Sequence, residues 1–129
     1  MKSLRVLWVE DDADIRGFVQ KMCGPKFGAL EIASSVVEAE KIYADMEAKG
    51  ESPDLLVLDI AMPVEIGTTY ARRLRAAGND VSVLFVSGND NALNRMEADA
   101  LGSVGFVTKP FVWDDIFQAV RQLKPGVKG

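Results

Sequence analysis

Apolar runs in this chain keep ending on polar groups of particular kinds: Glu10 and Asp11 close one, Asp59 another and Ser87 a third, while Lys109-Pro110 follows a fourth. Segments with helical periodicity lie between them. Strands that alternate with helices build a parallel α/β sheet, whose strand carboxyl ends all open on one edge, and ligands bind in the crevice there. Groups far apart in the sequence would therefore meet at that edge. Clustered acids bind a hard cation, and a lysine facing them marks a negatively charged group held between. The chemistry such a set supports is phosphoryl transfer to a carboxylate.

The alternation runs the length of the chain. Residues 4–9 are rich in β-branched and aromatic side chains and read as a strand. A helix over 13–23 follows, with Ile15, Phe18, Val19 and Met22 at inward spacing and Gly24-Pro25 as its stop. Residues 30–33 form a weaker strand. Ser35 stands three residues before Glu38, the spacing of a capping box, and opens a helix that turns Ala39, Ile42, Tyr43 and Met46 inward and ends at Gly50. Residues 54–58 are nearly all apolar, as a central strand covered on both faces should be. Tyr70, Ala71 and Leu74 mark a third helix ending near Gly78, and 81–86 is a fourth strand. Asn89 or Asp90 caps a helix that carries Leu93, Met96 and Ala100 to a stop at Gly102. A strand over 104–107 and a helix over 111–123, carrying Ile116, Phe117, Val120 and Leu123, complete five β-α units. Right-handed crossovers make an open sheet with helices on both faces the compact solution. On alternation alone the sheet is flavodoxin-like or Rossmann-like, and such folds host many functions.

Composition narrows the classes. At 129 residues, 48% of them hydrophobic, the chain fits one domain whose core needs no disulfide or structural metal. A single cysteine, Cys23, excludes an intramolecular disulfide and favours a reducing compartment. The start is too brief in its apolar run and too acidic for a signal peptide, and no stretch approaches the ~18 apolar residues of a membrane span. The expected address is the cytoplasm, with no membrane partner. A net charge of −4, with both signs interspersed, argues against binding nucleic acid through a basic stripe. There is no histidine, so any phosphohistidine must come from a partner.

Four motifs carry a resemblance: Val9-Glu10-Asp11 with Arg16 downstream, Leu58-Asp59-Ile60-Ala61-Met62-Pro63 with Gly67, Val86-Ser87-Gly88, and Gly105-Phe106-Val107-Thr108-Lys109-Pro110-Phe111. In this order the chain resembles the receiver domain of two-component response regulators, from Leu4 to Leu123. The resemblance implies a flavodoxin-like, doubly wound sheet of five parallel strands in the order 2-1-3-4-5, with five helices on both faces. It implies Asp59 as phosphoacceptor and a Mg²⁺ ion, or Mn²⁺, held directly by Asp11 and Asp59, by Glu10 through water, and by the backbone carbonyl of Ala61. Lys109 would pair with Asp59 at rest and with a phosphoryl oxygen afterwards, across a cis Lys109-Pro110 bond. Ser87 would be the switch hydroxyl, and Phe106 stands where an aromatic turns inward on activation. Ala61 and Asn89 occupy the positions that tune loss of the phosphoryl group. Gly88 after the switch serine and Ile66 before Gly67 depart from the commoner residues.

The resemblance makes the chain a phosphorylation switch rather than a metabolic enzyme. Its expected partners are a histidine kinase or histidine phosphotransfer protein, a downstream protein target, and a second copy in a phospho-dependent homodimer. The expected organisation is a receiver domain over 1–124 and a short tail over 125–129, with no output domain. Trp113 and Phe117 are placed at the centre of an output surface formed by the fourth helix, fifth strand and last helix, the alternative being that both rings are core. A phosphorylation-independent scaffold is a rival reading. A haloacid-dehalogenase-like phosphatase is another, but Ala61 stands where its general acid is needed. A flavin or dinucleotide site would need a glycine-rich first turn, and here that turn is Glu10-Asp11-Asp12.

Overall fold

The computed structural model describes residues 3–60, 67–88 and 91–122. Strands and helices alternate in it as β1 (Arg5–Val9), α1 (Ala13–Cys23), β2 (Ala29–Ala33), α2 (Val36–Ala48), β3 (Leu55–Asp59), α3 (Gly67–Ala76), β4 (Ser82–Ser87), α4 (Ala92–Ala100), β5 (Gly105–Thr108) and α5 (Trp113–Arg121). All strand pairs are parallel, in the order β2-β1-β3-β4-β5. This is the flavodoxin-like arrangement, and the Rossmann-like alternative falls away.

Side chains on a strand alternate between faces, so each apolar run divides between two cores. Leu7, Val9, Leu56, Leu58, Val83 and Phe85 point to one face, where α2, α3 and α4 cover them. Val6, Trp8, Leu55, Val57, Leu84 and Val86 point to the other, under α1 and α5. Because both faces are covered, the strands can be apolar at every position.

Local signals set the helix limits. The Asp12 carboxylate caps α1 by accepting from the amides of Asp14 and Ile15, at 2.9 and 3.2 Å. The Ser35 hydroxyl caps α2 by accepting from the Glu38 amide, and the Glu38 carboxylate reaches back to the Ser34 amide, one residue earlier than a standard box. Gly50, Gly78 and Gly102 follow α2, α3 and α4 with φ of 71°, 82° and 70°, the left-handed conformation that ends helices. The cap of α4 is Asn91, accepting from the Asn94 amide at 2.8 Å, rather than Asn89 or Asp90.

Helix faces differ from expectation in two places. In α1 the inward line is half-buried Ile15 with buried Val19 and Cys23, at i, i+4 and i+8, while Phe18 is 59% exposed and Met22 also faces solvent. Cys23 extends the helix's apolar arc, and one sheet face cannot cover the whole of it. In α4 only Ala98 is buried, and Leu93 is 73% and Met96 66% exposed. Leu123, Ala61, Asn89 and the tail over 125–129 lie outside the described residues.

Candidate functional site

The parallel register brings the strand ends to one edge. Asp59 is the last residue of β3 and pairs with Val86, placing it one step from Ser87 at the end of β4. Ser87 pairs with Thr108, and the Lys109 amide donates to the Ser87 carbonyl at 2.8 Å, so the lysine leaves β5 aligned with its neighbour. Glu10 follows β1, its amide bonded to the Ala33 carbonyl of β2 at 2.9 Å. The Lys109-Pro110 bond is cis.

Lys109 joins two acids. Its Nζ donates to Asp59 Oδ2 at 2.7 Å and to Glu10 Oε1 at 2.8 Å. Glu10 is 1% and Asp59 4% exposed, so both carboxylates depend on that ammonium for compensation. Burial pushes the Glu10 carboxyl above its ordinary value, against the Lys109 hydrogen bond and the Asp12 amide, which pull it down. For Lys109, burial works to lower the value, but the hydrogen bonds and charges of Asp59 and Glu10 outweigh it and leave the ammonium harder to deprotonate. The resemblance implies the Asp59 pairing, and convergence of the strand ends sets the lysine facing the acids; the direct bond to Glu10 is what the structure adds.

Asp11 lies beside this pair, exposed, and its ligand oxygen, with one each from Glu10 and Asp59, lies within 4.8 Å of the others. Three carboxylates, two of them buried and Asp11 exposed, make a hard, all-oxygen donor set that fits Mg²⁺. Gly67 closes the edge from α3: its amide donates to the Ile60 carbonyl at 3.0 Å, and a Cβ there would collide with the Asp59 carbonyl. Ser87 is fully buried, and the neighbouring Gly88 has open space around it. Phe106 is half-buried against the core, with the Arg95 guanidinium 4.8 Å from its ring centre.

The structure moves the aromatic pair of α5. Phe117 is 5% exposed and belongs to the core, and Trp113 is half-buried, 6.3 Å from Trp8 and 5.1 Å from Phe111 between ring centres. Both rings lie on the α1 side of α5, not on the face shared with α4 and β5, which instead presents Arg95, Phe106, Asp115 and Gln118. The reason is that Ile116, Phe117 and Val120 form one broad stripe against the sheet, and Trp113, one turn before Phe117, continues it. An apolar groove of about 530 Å³ opens beside Trp113, lined by Ile15, Phe18, Pro110 and Phe111 and bordered by Lys109.

A parallel sheet in this order, with acids and a lysine gathered at its carboxyl edge, defines a phosphoacceptor-switch domain of two-component signalling. The sequence profile of the response regulator receiver domain matches residues 6–121, and the chain belongs to that family. The transcriptional regulatory protein PrrA of Mycobacterium tuberculosis is 34% identical over 121 residues, 94% of this chain and 50% of that protein. The chain thus spans about half the length of the curated relatives it matches. Among solved structures, the Francisella response regulator 1452 receiver domain superposes with a TM-score of 0.80 at 25% identity, covering 93% of this chain and 95% of that one. The non-phosphorylated HemR receiver domain of Leptospira biflexa gives 0.79 at 25% identity, covering 97% and 100%. Receiver domains are phosphoacceptor switches that hold Mg²⁺ in an acidic cluster, and they are not in general enzymes. No described helix is long and apolar enough to cross a membrane.

Proposed function

We propose that Asp59 accepts a phosphoryl group from a phosphohistidine on a partner kinase or phosphotransfer protein, and that the resulting acyl phosphate changes which protein this domain binds. The observation that carries this reading is the single ammonium of Lys109 held 2.7 Å from Asp59 and 2.8 Å from Glu10. A Mg²⁺ ion bound by Asp11 and Asp59, with Glu10 through water, would supply the charge that lets an anionic phosphoryl group approach a carboxylate. An Asp59 carboxylate oxygen forms the O–P bond as the donor's N–P bond breaks, and the histidine leaves with the electron pair. Lys109 is placed to move from the Asp59 carboxylate to a phosphoryl oxygen, its flexible stem following the charge. Ser87, buried at rest, must turn to donate its hydroxyl to the new group, and Gly88 gives that loop its freedom. The groove bordered by Lys109 gives the donor protein an apolar seat beside the acceptor.

The domain carries no histidine, so it cannot supply the donor itself. Incubation with Mg²⁺ and acetyl phosphate should add one phosphoryl mass, and Asp59→Asn should add none, because an amide cannot form the acyl phosphate. Full labelling of Asp59→Asn would remove Asp59 from the role, whereas a wild-type domain that takes no label would favour a phosphorylation-independent scaffold.

A further inference from the structure

Asp11 is exposed, and its carboxylate takes no hydrogen bond from the described residues. Its neighbours are secured: the Glu10 carboxylate accepts from the Asp12 amide at 3.1 Å, and Asp12 caps α1. The side-chain hold on Asp11 is instead on its backbone. Arg16, one turn into α1, donates from Nη1 to the Asp11 carbonyl at 2.8 Å and from the same nitrogen to the Glu10 carbonyl at 3.1 Å.

We propose that Arg16 is a positioning residue for the cation site, clamping the Glu10-Asp11 turn so that the Asp11 carboxylate is presented toward Asp59. The inference rests on the reading of that edge as a Mg²⁺ site and adds a residue to it. By charge alone, a guanidinium bound to this turn would weaken Mg²⁺ binding, since like charges repel. What it supplies instead is a hold on two successive backbone carbonyls. The same charge also reaches the start of α2: the Ser34 amide and hydroxyl hold the Glu38 carboxyl below its ordinary value, and Arg16 adds to their effect.

Clamp and charge predict opposite signs, which makes the test decisive. Arg16→Ala and Arg16→Met remove the donors, and the methionine keeps the apolar stem and its packing. Calorimetric titration of the unphosphorylated domain with Mg²⁺ should show both variants binding about tenfold more weakly, the scale of losing a group that orients a metal ligand. The Mg²⁺ concentration giving half-maximal phosphorylation by acetyl phosphate should rise by a similar factor, with a smaller change in the maximal rate. Unchanged or tighter binding in Arg16→Met overturns the proposal, as does weakening seen only in Arg16→Ala or only in proportion to lost helical signal. A wild-type domain that binds no Mg²⁺ overturns the site reading itself. Wild-type binding matched by both variants overturns the Arg16 role alone.

Discussion

Replacing Lys109 by methionine keeps the length of the side chain and removes the one ammonium shared by Glu10 and Asp59. The three groups carry a net charge of −1 with the lysine and −2 without it. One bound proton would restore the balance, and that sets the size of the effect. Bringing Glu10 from its ordinary value of 4.5 to neutrality at pH 7 costs about 1.36 kcal/mol for each of roughly 2.5 pH units, a ceiling of about 3.4 kcal/mol. Lys109 is 20% exposed, so water will replace part of what it supplied, and a loss of about 2–3 kcal/mol is expected. The pH dependence has a definite sign. A carboxyl whose folded pKa is raised binds its proton more tightly when folded, so its stability contribution grows as pH falls through that value. Lys109 itself, its pKa raised above 10.5, stays charged throughout and stabilises fully below that value. The gap between wild type and Lys109→Met should therefore be widest at pH 7 and narrow as pH falls and Glu10, its pKa raised by burial, takes the missing proton. Urea unfolding in the presence of a chelator, at pH 7 and at about pH 5, measures it. Equal stability at pH 7, or the same loss at both pH values, would refute the reasoning.

Gly67→Ala should lower stability by about 1–3 kcal/mol, because its Cβ would meet the Asp59 carbonyl and the rigid backbone of β3 cannot yield. It should also slow labelling by acetyl phosphate, and wild-type labelling would show that the Asp59 backbone has room to move. Phe117→Ala should cost about 3–5 kcal/mol as a core truncation. Leu93→Ala and Met96→Ala, on the exposed side of α4, should each change stability by no more than about 0.5 kcal/mol in the same denaturation assay.

Much of this architecture is written locally. The alternation of apolar runs with helical periodicity, the Ser35 cap, and the glycines after α2, α3 and α4 each rest on interactions within a few residues, and a sequence displays these directly. The residues now gathered at the strand ends were legible for a related reason. A parallel sheet leaves its loops at one edge whatever the details of packing, so Glu10, Asp11, Asp59, Ser87 and Lys109 had nowhere else to meet. What lay beyond reach depends on partners distant along the chain. An apolar residue on a helix says that some arc is buried, while the neighbours across the sheet select which arc. Thus α1 buries Cys23 and leaves Phe18 outside, α4 turns Leu93 and Met96 to solvent, and Phe117 goes into the core beneath α5. The bridging role of Lys109 is of the same kind: its acids lie 50 and 99 positions away, and only packing in three dimensions makes one ammonium serve both.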